Sequence, residues 1–368
     1  MAQRLVLHIG AMKTGTSFLQ SVFNAHVEAL EEDGVRFLGG RFGAQSRAVR
    51  DVLDLPRRPK RNRRKWGALV KELRQHPEQT GVVSMEFLSF AAPRHLEALF
   101  EPLQGIEVEV VLTVRDLHRV VPAQWQTYTR NFGTDSWSDY QAHIRAKRRW
   151  RPLTQNRARH TFERAQNFER ILGRWSSVVP ADRITLVTVP GPDAPRDLLW
   201  RRFVAAAGLP ETRVSFEETR DNASVGYGSC EVLRLLNEHL DDVRPRAYRS
   251  VMRPLINEVL APLRAQESKP QLDRRTAEFA SARNAQLHSL ITERGHRFVG
   301  ELAELPVEAD AGALPRVSPP PAEAEIERAL RALGDHLAPE TGASPLPQER
   351  TAAVAEVAGR LRRAHGWG

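Results

Sequence analysis

Short apolar runs alternate with helix-period segments through the first two thirds of the chain. Residues 5–9, 81–85, 108–114 and 184–189 are nearly unbroken stretches of Val, Ile, Leu and similar side chains. A strand wetted on one face alternates polar and apolar positions; runs without alternation predict strands covered on both faces, as in a parallel sheet. Between them, Phe18, Leu19, Val22, Phe23, Val27 and Leu30 recur at helical spacing, and Gly34 stops that helix. Further helices are expected near residues 66–75, 93–100, 162–176 and 196–208. Strands alternating with helices predict βαβ units and a three-layer α/β fold around a central, mostly parallel sheet.

The texture changes after about Ser224. Val232, Leu233, Leu235, Leu236 and Leu240, then Val251, Leu255, Val259 and Leu260, keep helical periodicity without convincing strands, and helical patterning returns over 274–302. The segment LPRVSPPPAEAE, residues 314–325, reads as a semi-rigid linker before two amphipathic stretches. The expected organisation is a core over 1–224, a helical extension over 225–313 that contributes to a substrate pocket, and a linker with a helical tail over 314–368. That tail is expected to be mobile or to mediate assembly, which leaves room for an oligomer through the C-terminal helices.

Composition narrows the class. The chain has 368 residues, 41% of them hydrophobic and 27% charged. No stretch approaches the roughly 20 apolar residues of a membrane span. The start, MAQRLVLHIG, lacks the features of a signal peptide and reads as a first strand. One cysteine, Cys230, excludes an intrachain disulfide framework, and the expected compartment is the cytoplasm. The net charge of +9 is concentrated in RRPKRNRRKW, residues 57–66. This cluster is either a solvated loop or a surface that gathers anions. No nucleic-acid motif accompanies it, so nucleic acid ranks below an anionic substrate or cofactor.

Candidate chemistry begins in LVLHIGAMKTGTSFLQ, residues 5–20, a strand, a small loop and a helix. A Walker A loop places lysine after its second glycine; here Lys13 precedes Gly15. The physical ingredients are nevertheless those of an anion site. Gly15 permits close backbone approach, helix N-terminal amides point at a ligand, and Thr14, Thr16 and Ser17 add hydroxyls beside the Lys13 charge.

The pattern H-I-G-x-x-K-T-G-T-S-x-L-Q resembles the opening of bacterial sulfotransferase-family proteins, and the loop resembles the 5′-phosphosulfate loop of enzymes that use 3′-phosphoadenosine 5′-phosphosulfate (PAPS). The resemblance runs over about residues 5–224 and implies a P-loop-like fold and transfer of a sulfuryl group from PAPS to a hydroxyl or amine. By the same resemblance, VVLTVRDLHRVVPAQWQ, residues 110–126, is similar to the segment that binds the cofactor's 3′-phosphate, with Arg115 as its clamp. Many relatives carry a serine eight residues later. Here Ala123 stands in that place, leaving Arg119 or Gln124 to compensate. QNFERILGRW, DRITLVTVP and LLWRRFVAAAGL resemble later parts of the core, and Arg220 and Asn222 fall where relatives close a loop over the nucleotide.

Removing the acceptor's proton requires a base. Strand 81–85 runs into Glu86, at the strand end where open α/β sheets carry their functional groups. Glycosaminoglycan and tyrosylprotein sulfotransferases, which use a glutamate as base, resemble this arrangement; Glu86 is the expected base. His8 either touches substrate or packs as a hydrogen-bonded core residue, and His118 is better placed for a nucleotide. No His, Cys or Asp cluster has metal-ligand spacing, so no metal is expected. The competing readings are a P-loop nucleotide kinase or NTPase and a non-catalytic anion or nucleic-acid binder. The acceptor stays open between small molecule, carbohydrate, lipid and peptide.

Overall fold

The computed structural model describes residues 3–53, 64–146, 157–216, 224–308, 313–341 and 345–367. The elements run β1 (Gln3–His8), α1 (Thr16–Ala25), α2 (Val27–Glu32), β2 (Val35–Phe37), α3 (Phe42–Val52), α4 (Arg64–Gln75), β3 (Thr80–Ser84), α5 (Pro93–Phe100), β4 (Ile106–Val114) and α6 (Leu117–Thr129). Then follow α7 (Trp137–Arg145), α8 (Arg157–Gln166), α9 (Phe168–Trp175), β5 (Ile184–Thr188), α10 (Leu198–Ala207) and α11 (Tyr227–His239). The last are α12 (Pro245–Leu255), α13 (Arg274–Glu293), β6 (Arg297–Val299), α14 (Glu323–Thr341) and α15 (Arg350–His365). Two compact units result, one of residues 1–120, 163–221 and 280–309, the other of 121–162, 222–279 and 310–368. No described helix is long and apolar enough to cross a membrane.

The first unit holds a six-stranded sheet in the order β2-β3-β1-β4-β5-β6, parallel at every pairing and flanked by helices. The α/β expectation holds, and the unbroken apolar runs have their reason in the packing. Leu5, Val6 and Leu7 are all buried, as are Val110, Val111 and Leu112, because both faces of the central strands are covered. On one face Val6, Val82, Val111 and Val187 meet Leu19, Val22 and Phe23 of α1 and Leu199, Trp200 and Phe203 of α10. Phe23 is central, stacked on Phe37 at 5.0 Å and edge-on to Trp200 at 5.1 Å.

Four features differ from the sequence expectation. β2 and β6 carry three residues each and sit at the sheet edges, too short for any period to register. β6 also makes 280–309 part of the sheet unit, within the stretch read as a helical extension. The helix expected over 18–30 is two helices that meet at His26. The fourth difference concerns 314–325, read as a linker.

In the second unit that segment is pinned. Ser318 is buried, donates to the Gln271 carbonyl at 2.7 Å and accepts from Gln141 at 2.8 Å. The Tyr227 hydroxyl donates to the Pro319 carbonyl at 2.9 Å. Beyond it, α14 and α15 pack on each other and on α11, burying Leu330, Leu333, Val357 and Leu361. The tail is core. Leu333→Ala or Leu361→Ala should therefore cost about 2–5 kcal/mol in urea unfolding, the range for a cavity in a close-packed interior. Unchanged midpoints for both would return the segment to the status of a loose tail.

Candidate functional site

In open parallel sheets ligands bind beyond the carboxyl ends of strands, where the strand order reverses. Here the chain leaves β1, builds β2 and β3 on one side, then crosses to β4 on the other. Three adjacent strand ends thus flank the reversal, and each leads into one part of the expected site. β1 leads into the loop, β3 into Glu86 and β4 into Arg115.

The carbonyls of residues 10–13 are all engaged, and the Ala11 amide donates to the Thr113 carbonyl at 3.0 Å. The Gly10 carbonyl accepts from the Thr113 amide at 2.6 Å, Ala11 from the Thr14 hydroxyl at 2.6 Å, Met12 from Gln166 at 2.7 Å and Lys13 from Arg115 at 3.3 Å. The amides of Thr14, Gly15, Thr16 and Ser17 find no partner among the described residues. They precede or open α1, so the helix dipole reinforces them. Lys13 and Gly15 have φ of 66° and 79°, a left-handed geometry that lets successive amides converge on an anion. A side chain on Gly15 would meet the end of the Leu199 side chain of α10 and would be strained at this φ. The Thr16 and Ser17 hydroxyls bond no described residue, whereas the buried Thr14 hydroxyl is committed inside the loop. Thr14 offers an anion its amide, not its hydroxyl.

Beneath the loop runs a chain of polar side chains. His8 is fully buried; its Nδ1 lies 2.7 Å from the Ser84 hydroxyl and its Nε2 3.2 Å from Thr113. Thr113 lies 2.7 Å from the Thr14 hydroxyl, which itself donates to Ala11. The Thr14 proton goes to Ala11, and the single Thr113 hydroxyl proton is shared between Thr14 and the Gly10 carbonyl, 3.0 Å away. His8 Nε2–H then donates to Thr113, and Nδ1 accepts from Ser84. Burial holds the imidazole neutral, with its pKa lowered from 6.5 to about 3. Both ring nitrogens are occupied, which makes His8 a packed support of the loop.

At the end of β4, Asp116 does not pair with Arg115. Its carboxylate accepts from the His118 amide at 2.9 Å, from His118 Nδ1 at 2.8 Å and from Asn284 at 2.9 Å. Burial works to raise the Asp116 pKa, but the hydrogen bonds from His118 and Asn284 outweigh it and hold it below the usual carboxylate value. Arg115 is half-buried, and its Nε is enclosed without a partner among the described residues. Burial, then repulsion from Arg119, lowers its pKa to about 10, against an opposing pull from Asp116. Arg119 donates to the Pro190 carbonyl at 2.9 Å. Ala123 lies on α6 and brings no hydroxyl, and Gln124 is buried in the second unit. Arg220 and Asn222 lie outside the described residues, as do residues 57–63 of the basic cluster.

Glu86 follows β3 by two residues and opens a 3₁₀ turn, Glu86–Phe90. Gly10 approaches it so closely that an added Cβ would lie 2.9 Å from the Glu86 Cα. Gln20 of α1 donates to Glu86 Oε2 at 3.0 Å and to the Ser84 carbonyl at 3.1 Å. Sequence reasoning assigned no role to Gln20 or to Gln166. The available signal was an amide in the buried stripe of α1, beside Leu19, Val22 and Phe23. Among the described residues no cluster of three His, Cys, Asp or Glu could hold a metal ion.

No protein-family model matches the chain, and no curated protein matches it significantly.

The buried His8 makes stability depend on pH in a stated direction. Its folded pKa is depressed from 6.5 to about 3, so its contribution is intact above pH 6.5 and is lost as pH falls toward 3. Over that window the group should remove about 1.4 kcal/mol of stability per pH unit. Urea unfolding from pH 7 to 4 should show a slope that His8→Gln lowers by about one proton. Equal slopes in the two chains would mean that His8 ionises freely in the folded state.

Proposed function

We propose that the chain is a PAPS-dependent sulfotransferase. The observation that carries this reading is the set of four amides at residues 14–17 with no partner among the described residues, flanked by Lys13 and Arg115 and with Glu86 at the next strand end. A phosphosulfate group suits such a cradle, since its oxygens accept several converging N–H bonds and its charge meets a lysine and a helix N-terminus. Arg115 suits the 3′-phosphate, because a guanidinium fork binds two oxygens of one phosphate.

PAPS supplies an activated sulfuryl group. The acceptor oxygen or nitrogen bonds to sulfur as the bond from sulfur to the bridging phosphate oxygen breaks, and 3′,5′-ADP leaves. Lys13 and the loop amides stabilise negative charge developing on the sulfuryl and bridging oxygens. Glu86 takes the acceptor's proton. Gln20 holds Oε2 of that carboxylate, which leaves Oε1 as the receiving atom. The kinase reading is disfavoured because the strand-end carboxylate Asp116 is engaged by His118 and Asn284. The proposal includes a hydroxyl or amine acceptor and a cytoplasmic location.

A thermal-shift comparison tests the reading. 3′,5′-ADP should stabilise the chain more than 5′-AMP or magnesium-ATP does. Preference for magnesium-ATP would favour a kinase; salt-sensitive binding without nucleotide preference would favour a plain anion binder.

Variants then separate the roles. Arg115→Ala should weaken 3′,5′-ADP by about 2 kcal/mol and 5′-AMP far less. Lys13→Ala should impair both nucleotide affinity and turnover. Glu86→Gln should bind 3′,5′-ADP normally while transfer falls by roughly 10²–10⁴-fold. Calorimetry paired with single-turnover transfer reads both quantities, and near-normal transfer by Glu86→Gln would remove it as the base.

A further inference from the structure

The turn that Glu86 opens is bordered by guanidinium groups. Arg50 of α3 lies 4.6 Å from the centroid of the Phe87 ring. Phe87 stacks on Phe90 at 5.6 Å, and Arg164 of α8 covers the Phe90 ring at 4.3 Å. Arg174 of α9 donates to the Ala91 carbonyl at 3.3 Å. A ring face and a carbonyl thus hold Arg164 and Arg174.

The nearby acids are engaged elsewhere. Glu163 accepts from Asn167 at 2.9 Å and faces Arg283 at 3.7 Å, and Glu169 faces Arg294 at 3.5 Å. Among the described residues no carboxylate pairs with Arg164, Arg170 or Arg174. Burial, then repulsion from Arg170, lowers the pKa of both Arg164 and Arg174. Arg164 and Arg174 each feel the positive charge of Arg170, and no described carboxylate offsets them, which favours an oxyanion at this surface.

We propose that Arg164 and Arg174 form the subsite for a negatively charged group of the acceptor, which is therefore an anionic hydroxyl compound. Its carboxylate, sulfate or phosphate lies against the two guanidinium groups while its hydroxyl reaches Glu86. This inference rests on Glu86 being the base of a sulfotransferase. It gives the arginines a task that chemistry requires, because donor and acceptor are both anions and repel as they meet. Arginine suits the task better than lysine, since its fork binds two oxygens at once and its plane stacks on phenyl rings.

The test uses the full chain saturated with 3′,5′-ADP, which fills the loop, and calorimetry with trigalacturonate and its full methyl ester. The two probes share rings and hydroxyls and differ in charge. The acid should bind and the ester should not. Arg164→Gln and Arg174→Gln should each weaken the acid by about tenfold. Arg164→Lys should lose less, and Arg201→Gln, on an arginine paired with Asp197, should lose nothing. Equal binding of acid and ester overturns the subsite. So does acid binding that survives both substitutions in folded chains, or that 3′,5′-ADP displaces. Because no turnover is needed, the parent reading fails separately. A chain that ignores 3′,5′-ADP yet binds trigalacturonate through Arg164 keeps an anion site and loses the sulfotransferase assignment.

Discussion

Four consecutive backbone amides, those of residues 14–17, have no partner among the described residues, and the loop after β1 is organised around them. An unpaired amide would normally turn back and bond to its own chain. Here the carbonyls that could receive such bonds are already taken: Gly10 by Thr113, Ala11 by Thr14, Met12 by Gln166 and Lys13 by Arg115. Each of these carbonyls thus carries a bond that holds the loop in place. Lys13 and Gly15 adopt left-handed turns beside the amides of residues 14–17, which find no partner among the described residues.

The same constraint explains why polar residues sit so deep in the sheet. Ser84, His8 and Thr113 stand on neighbouring strands, and each would be expensive to bury alone. Joined in one network that reaches Thr14 and the Gly10 carbonyl, they satisfy one another and give the loop a rigid base. Protonating His8 would add a second donor facing Ser84 and force that hydroxyl to turn and accept, so burial and hydrogen bonding both favour the neutral ring. α1 extends the arrangement: its first turn supplies the amides, and Gln20 one turn later fixes the Glu86 carboxylate. Cradle and carboxylate are therefore positioned by one helix.

The fold was legible where burial writes itself into composition, as in the unbroken runs of β1, β3, β4 and β5, and in the strand–loop–helix around Gly15. It was illegible where three-residue strands such as β2 and β6 depend on neighbours distant in sequence. The proline-rich segment misled because proline marks an extended backbone without saying whether that backbone is free or packed; Ser318 and Pro319 are packed. Among site residues, Lys13, Gly15, Glu86 and Arg115 stand at strand ends that motif reasoning identified. Whether Thr14 faces a ligand or the interior depends on Thr113, ninety-nine positions away, and the Asp116 contacts depend on Asn284. Such choices are made by tertiary contacts and leave no local trace.

Charge follows the same logic at a larger scale. Most arginines in the chain with resolved partners meet carboxylates, as Arg4 meets Glu109 and Arg202 meets Glu304. Those pairs are structural, and they say nothing about ligands. The informative arginines are the ones whose fixed positions come from other sources, Arg115 through a loop carbonyl and Arg164 through a phenyl face. A guanidinium held still without a described ion-pair partner keeps most of its attraction for an incoming oxyanion, because the entropy of ordering the side chain has already been lost in folding. Net charge alone would have drawn attention to residues 57–66. Position relative to Glu86, together with the absence of a described counter-ion, points instead to the arginines of α8 and α9.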